Sequence, residues 1–330
     1  MADIISDDGF PSTSRRSNKP PRPASSASSW TTVPPTVKRI FDKFPLVTYP
    51  DTVLPSACIF PDQSSKIGTA FVHDLSNVSI FPDSVRLLTV LRLAKIYDSL
   101  TVLKASPHSS PENGPFPYIF LSRSSAPSPT PLERTLAPNS ILFYSWLSEI
   151  PNAQIVPYSA AEQLPILTLL DVRLRDAFLL TLYIYSSNYK AVVLPSFYKH
   201  INSIENDRLS GGVGVFPYLL SYTQYLAAKD TLQRSVGTTK IDAKFKISVL
   251  TGAEEALDAL SDLVSETTGF LSGEGIPGTV DAAVYGYLYP SLHLGLMDET
   301  GTREAELVEL IRERPKLVEL VEKVNELAWS

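Results

Sequence analysis

The pattern of apolar residues changes near Pro157, and this change constrains the fold more than any other feature of the chain. Between Gly68 and Glu149, apolar runs of four or five residues alternate with longer helical patterns. Beyond Pro157, the apolar residues recur at the three-and-four spacing of helices. Strands and helices followed by helices alone are typical of a small α/β domain joined to an all-α domain. The sequence therefore predicts two folded domains, over residues 68–152 and 157–330.

The first domain is predicted to contain three strands and two helices. The expected elements are, in order, strand 69–73, helix 84–97, strands 100–103 and 118–121, and helix 141–149. Asp83 is the expected N-cap of the first helix. The order of these elements resembles that of a thioredoxin-like domain.

The second domain is predicted to consist of amphipathic helices. Residues 167–185 place their apolar side chains on one face, and Pro165 is expected to start or kink this helix. Thr251 and Glu254 have the spacing of a capping box, so a helix is expected to begin there. Pro315 is expected to divide the last helical stretch. The further helices are expected over residues 215–232, 251–271, 282–296 and 305–329.

No stretch reaches the ~18 uninterrupted apolar residues that suggest a transmembrane helix. Residues 164–185 come closest, but four charged residues interrupt them: Asp171, Arg173, Arg175 and Asp176. Because charges at bilayer depth are costly, we expect this segment to be a helix buried in the protein. Any membrane association is therefore expected to be peripheral and to depend on a partner.

Charge, cysteine and histidine content argue against several kinds of function. A net charge of −6 disfavours a nucleic-acid binder, since such proteins usually carry a basic face. Cys58 is the only cysteine, so an internal disulfide is impossible and a reducing compartment fits. The four histidines lie far apart and lack metal-ligand spacing, so we expect neither a metal nor another cofactor.

Two segments precede the first domain. Residues 1–35 are rich in Ser and Pro and are predicted to be a disordered tail. Residues 36–67 are predicted to form an extended arm that docks onto the domain or a partner. The candidate docking residues of this arm are Arg39, Phe41, Phe44 and Tyr49. Residues 11–48 include seven basic residues and one acidic residue. Such a segment is typical either of an ordinary solvated surface or of a surface near anionic lipid or an acidic partner.

Two short motifs in the first domain, Gly114 with Pro117 and Asn139 with Ser140, resemble those of glutathione transferases. Gly114 and Pro117 have the Gly-x-x-Pro placement directly before the third strand, so Phe116–Pro117 is the candidate cis bond. Asn139 and Ser140 resemble the entry to the third helix of that family, where an acidic residue or Gln usually stands in place of Asn139. The resemblance implies a thioredoxin-like N-terminal domain followed by an all-helical C-terminal domain.

Three longer stretches, residues 37–49, 167–176 and 277–288, carry a more specific resemblance. They resemble the metaxins, and in particular the smaller, metaxin-2-like type of fungal subunit in the mitochondrial sorting and assembly machinery (SAM complex). In the third stretch, Asp281 matches the aspartate of the metaxin motif. Gly278 departs from it, because Thr or Ser is usual there, and the cap is expected to move to Thr279 or to weaken.

This resemblance implies a non-catalytic peripheral subunit on the cytosolic face of the mitochondrial outer membrane. Such a subunit helps to recognise the β-signal of β-barrel precursors and promotes their insertion. The implied partners are the β-barrel insertase subunit, a second metaxin-like subunit, the precursors themselves and the outer-membrane surface.

A glutathione transferase would be the alternative, and the residues can be weighed against its chemistry. The enzyme needs a Tyr, Ser or Cys just after the first strand to stabilise the glutathione thiolate. Ser76 and Ser79 are the candidates here, but serines in turns commonly bond to the local backbone. We therefore expect no catalysis. A glutathione-binding or active transferase and a free-standing cytosolic binding module remain the other interpretations.

Overall fold

The structure is a computed structural model that describes residues 66–105, 116–121, 135–138, 140–150, 153, 155, 160–198 and 216–330. All of them belong to one compact unit, Val53–Ser330. The predicted tail over residues 1–35 lies outside the described residues, and so do the arm residues Arg39, Phe41, Phe44 and Tyr49, together with Gly114 and Asn139. The predicted domain boundaries therefore stay predictions.

A four-stranded sheet forms one layer of the described chain. Its strands are β1 (Gly68–Val72), β2 (Leu100–Lys104), β3 (Tyr118–Leu121) and β4 (Thr135–Leu136). The spatial order is β2-β1-β3-β4, with β1 parallel to β2 and all other pairs antiparallel. Ala70 at the centre of β1 lies opposite Val102 and Ile119. The three predicted strands are confirmed, whereas β4 was not predicted because two residues show no alternation.

Helix α1 (Pro82–Leu93) joins β1 to β2, and the structure corrects both of its predicted ends. Phe81, not Asp83, is the N-cap, because Pro82 at the first helical position has the fixed φ that suits a helix start. At the other end Lys95 adopts a φ of 56°, and its N–H donates to the Arg92 carbonyl. This left-handed residue ends the helix before the predicted Tyr97.

Twelve further helical segments follow β4 among the described residues. They are α2 (Ile141–Glu149), α3 (Ala160–Leu169), the π-helical turn Leu170–Leu174, α4 (Arg175–Leu179), the π-helical turn Leu180–Ile184, α5 (Ser186–Asn188), the π-helical turn Tyr189–Val193, α6 (Phe216–Val236), α7 (Ala243–Leu263), α8 (Thr279–His293) and α9 (Glu306–Arg312), and α10 (Pro315–Trp329) completes the chain. The helical character predicted for residues 167–185 is confirmed, with π-helical turns that the apolar pattern did not predict. Pro165 lies inside α3, and Pro315 begins α10 as predicted.

The predicted start of α7 is wrong. Thr251 and Glu254 lie in the middle of this helix. Its N-cap is Asp242, whose Oδ1 accepts from the Phe245 N–H at 2.8 Å. Capping-box spacing also occurs by chance inside helices, so the pattern alone could not distinguish the two positions.

Helix α8 lies at the centre of the core, as the sequence predicts from its apolar residues on nearly all sides. It packs against α1 on one side and against α10 on another. Gly286 lies at the crossing with α1, where an added Cβ would be 2.9 Å from the Pro82 carbonyl oxygen and 3.1 Å from the Arg86 Cβ. Gly286, which lies in the third resembling stretch, therefore permits close approach of the α1 and α8 backbones.

We expect Gly286→Ala to lower the free energy of unfolding. Alanine is intrinsically better than glycine in a helix by ~1 kcal/mol, but overpacking costs about 1–3 kcal/mol. The overpacking term wins because the nearest atom belongs to the α1 backbone, which cannot rotate away. The expected net loss is about 1 kcal/mol, the middle of the difference between the two terms, in urea denaturation followed by circular dichroism. The matched control is Gly275→Ala, where nothing lies within 4 Å; equal stability of the two variants would contradict the prediction.

Candidate functional site

The loop between β1 and α1 holds Ser76 and Ser79, the two candidates for the single hydroxyl that a transferase mechanism would require. The Ser76 hydroxyl donates to the Val78 carbonyl at 2.9 Å, and the Ser79 hydroxyl accepts from the Phe81 N–H at 3.2 Å. Both hydroxyls thus stabilise turns within the loop. A serine that stabilises a thiolate has to direct its proton toward the ligand. The Ser76 proton is instead donated within the loop, and Ser79, whose bond with Phe81 does not use its proton, is buried.

An aromatic cluster fills the space where this loop meets β3. The Phe81 ring lies 4.4 Å from the His73 ring and 6.3 Å from both the Phe116 and Phe197 rings, centroid to centroid. His73 and Phe197 are buried. The Phe116–Pro117 peptide bond is cis, as the sequence predicts. The described side chains beside the cis-proline are therefore mainly aromatic.

Tyr118, the residue after the cis-proline, is a polar group that the sequence reasoning did not consider. It is fully buried, its ring stacks on Phe71 at 4.8 Å, and burial raises the pKa of its hydroxyl to about 12. A phenol that activates a thiol needs access to the ligand and a lowered pKa. Tyr118 has neither, so its role is packing between β1 and β3.

Ser140 is the N-cap of α2. Its hydroxyl oxygen accepts from the Phe143 N–H at 3.1 Å, and the hydroxyl donates to the Ala137 carbonyl at 2.8 Å. These two bonds fix the path of the chain from β4 into the helix. The preceding Asn139, which the family motif would make acidic, lies outside the described residues.

Replacing Ser140 by alanine is expected to lower the free energy of unfolding by about 1 kcal/mol, since the Phe143 N–H loses its acceptor. Ser145→Ala, on the exposed face of the same helix, is the matched control and should change stability by less than about 0.5 kcal/mol. Thermal unfolding of both variants measures the difference. A Ser140→Ala protein no less stable than the Ser145→Ala protein would rule out the capping role.

A polar network ties the β1–α1 loop to the last helix. The Asn77 side-chain amide donates to Asn325 Oδ1 at 2.9 Å, and the Tyr285 hydroxyl donates to the same oxygen at 2.8 Å. The loop, α8 and α10 are thereby held together. Sequence reasoning missed this network, because its partners lie far apart in the chain and no local spacing marks them.

Asp281 lies away from this loop, at the start of α8. Its carboxylate accepts from the Gly278 N–H at 2.6 Å and from the Leu271 N–H at 2.7 Å, and the side chain is fully buried. Burial raises the pKa of this carboxyl, and the two backbone donors oppose the rise. Gly278 remains the N-cap position, so the cap does not move to Thr279. Ser140 and Asp281 each organise the start of their own helix and are not shown to act together.

A buried guanidinium lies where α1, α2 and α8 approach one another. Arg86 on α1 is 2 % exposed and donates from Nη2 to the Tyr144 hydroxyl on α2. Burial alone would lower the pKa of Arg86, but the neighbouring Tyr144, Asp83 and Asp171 raise it. Burial raises the pKa of Asp83, and Arg86 opposes that rise. The buried positive charge of Arg86 is therefore stabilised by electrostatic interactions with groups on several elements.

Neither a metal ion nor a membrane span finds support in the described ranges. There, no three His, Cys, Asp or Glu side chains are grouped so that they could hold a metal. None of the helices over these residues combines the length and hydropathy that crossing a membrane requires.

A comparison with protein families agrees with the fold. A family model described as "Glutathione S-transferase, C-terminal domain" matches residues 253–324, which contain about half of α7, all of α8 and α9, and part of α10. No curated protein matches the chain. The match, the strand order and the helical second half together indicate a glutathione-transferase-like fold, with a small α/β layer and a helical part.

Proposed function

We propose that this chain is a non-catalytic peripheral subunit of the mitochondrial sorting and assembly machinery, which inserts β-barrel proteins into the outer membrane. The observation that carries the proposal is the resemblance of residues 37–49, 167–176 and 277–288 to the smaller metaxin-like subunits. The glutathione-transferase-like fold is consistent with membership of that wider superfamily.

The geometry of the β1–α1 loop supports the non-catalytic part of the proposal. The Ser76, Ser79 and Ser140 hydroxyls all bond to nearby backbone groups. Aromatic rings occupy the space beside the cis-proline. Because these candidate hydroxyls bond within turns and at a helix cap, the chain is proposed to act by binding partners through its surface.

In this proposal the chain works on the cytosolic face of the mitochondrial outer membrane, attached through its partners. Those partners are the β-barrel insertase subunit and a second metaxin-like subunit. The chain helps to recognise the β-signal, a short strand-forming segment of the precursor. Pairing with a sheet edge or seating in a groove are the physically natural ways to bind such a segment.

Affinity purification of the tagged chain from mitochondria tests the proposal. The β-barrel insertase subunit should co-purify, and alkaline carbonate should release much of the protein from the membrane. Alanine at Arg39, Phe41, Phe44 and Tyr49 together should reduce the recovery of that subunit. Alanine at Phe10 and Arg15, in the predicted tail, is the control. A tagged chain that purifies alone would contradict the proposal and favour a free-standing binding module.

A glutathione-binding or active transferase is the second candidate, favoured by the family match and by the position of Ser140 at the start of α2. Retention of the purified chain on immobilised glutathione, and its loss on replacing Ser76 or Ser140 by alanine, would support this candidate. If the chain is the proposed non-catalytic subunit, it should pass through the resin. Conjugation of glutathione to a chromogenic substrate should then proceed at the uncatalysed rate.

A further inference from the structure

A groove runs between α7 and α9 on the helical part of the chain. Its cavity volume is about 230 Å³, and its walls come from both helices. The lining residues are Ile247, Leu250, Thr251 and Glu254 of α7, Glu306, Glu309 and Leu310 of α9, and Glu313 directly after α9. Neither the groove nor the approach of these two helices is predicted by the apolar pattern of the sequence.

The apolar residues of the groove are more exposed than packing alone would require. Ile247 is 65 % exposed, and Leu250 and Leu310 are half-buried beside it. An exposed β-branched side chain next to half-buried leucines leaves apolar surface that a partner could remove from water.

The rim of the groove is acidic, because four of its eight lining residues are glutamates. Glu254 and Glu309 form no ion pair with any other residue that the structure describes, while Glu306 accepts from the Tyr185 hydroxyl at 3.2 Å. Lys246 pairs with Glu299. Arg314 binds Asp258 at 2.7 Å and lies 4.0 Å from Glu313. Of the four rim glutamates, only Glu313 therefore has an ion-pair partner in the part of the chain that the structure describes, and the rim keeps a net negative charge.

We propose that this groove binds a cationic amphipathic segment of a partner protein, with apolar side chains on Ile247, Leu250 and Leu310 and Lys or Arg side chains on the glutamates. Charge complementarity selects this occupant, because anionic lipid headgroups and nucleic-acid phosphates would be repelled by the same rim. The inference goes beyond the proposed function and does not depend on it.

The length of the groove sets the size of the bound segment. From Ile247 to Glu254 the α7 axis rises about 10 Å, at 1.5 Å per residue. That distance matches about two turns of a bound helix, whose apolar positions would recur at three-and-four spacing. The partner segment therefore needs two or three apolar residues on one face and basic residues beside them.

Fluorescence anisotropy with the full chain tests the proposal. The probe is a labelled 14-residue helical peptide with leucines on one face and lysines on the other positions; a second peptide carries glutamates in place of the lysines. We expect the lysine peptide to bind and the glutamate peptide not to bind. Replacing Glu254 and Glu309 by glutamine should weaken binding about fivefold, given the usual strength of exposed ion pairs, and should reduce its salt dependence.

Matched variants separate the groove from general surface charge. Glu274→Gln with Glu326→Gln removes the same charge from exposed positions outside the groove and should leave affinity unchanged. Ile247→Ser should weaken binding, whereas Leu327→Ser, at a residue 58 % exposed on α10, should not. The proposal is overturned by absence of binding to the lysine peptide, by equal binding of the glutamate peptide, or by equal losses in the groove and control variants.

Discussion

Asp281→Ala is expected to lower the free energy of unfolding by about 3 kcal/mol. The substitution removes the acceptor of the Gly278 and Leu271 N–H groups, at 2.6 Å and 2.7 Å. Hydrogen bonds to a charged group contribute about 1.5–3 kcal/mol each, and a buried donor without a partner costs about 1–3 kcal/mol. The sum is reduced because the segment from Leu271 to Gly278 can relax and admit water. Urea denaturation followed by circular dichroism measures the loss.

Two further variants show whether the loss comes from the cap. Asp281→Asn keeps one acceptor oxygen but places an amide N–H₂ against a backbone donor, so its stability should lie between those of wild type and Asp281→Ala. Asp262→Ala removes an exposed aspartate near the end of α7 and should change stability by less than about 0.5 kcal/mol. Similar stability of Asp281→Ala and Asp262→Ala would show that the cap contributes little.

Local sequence patterns predicted those elements of the fold that depend on residues close together in the chain. The three longer strands, the division at Pro315 and the central α8 all follow from apolar spacing or from proline geometry. Asp281 was predicted as a motif residue, but its second bond, to Leu271 ten residues earlier, was not. The spacing from Gly278 to Asp281 is visible in the sequence. The loop before Gly278 brings Leu271 close to Asp281 only in the folded tertiary structure.

The parts that the sequence did not predict depend on residues distant in the chain. Asn77 meets Asn325 across 248 positions, and Phe81 meets Phe197 only because α1 and the helical part pack together. The groove between α7 and α9 has the same origin, since Ile247 and Leu310 each look like ordinary helix-surface residues in isolation. Candidate serines could be located from sequence, but the direction of their hydroxyls required the backbone around them.

The burial of Arg86 also depends on residues distant in the chain, and its position in α1 does not predict it. A charge at 2 % exposure is costly unless it is compensated, and here the compensation comes from Tyr144 on α2 and from the carboxyls of Asp83 and Asp171. Removing one member of such a group leaves the others without compensation. Arg86 therefore holds together elements from both halves of the described chain.

Arg86→Met is expected to lower the free energy of unfolding by about 3 kcal/mol at neutral pH, in the range for breaking a buried charge interaction. Without the guanidinium, the folded-state pKa of Asp83 should rise further above its unfolded value. A raised carboxyl pKa gives stability at low pH that is lost as the pH rises through it, so the deficit should be smaller near pH 4 than at pH 7. Arg234→Met is the control, because its ion pair with Asp230 is exposed and should contribute less than about 1 kcal/mol. A deficit that is independent of pH and no larger than that of Arg234→Met would mean that the buried charge does not hold α1 and α2 together.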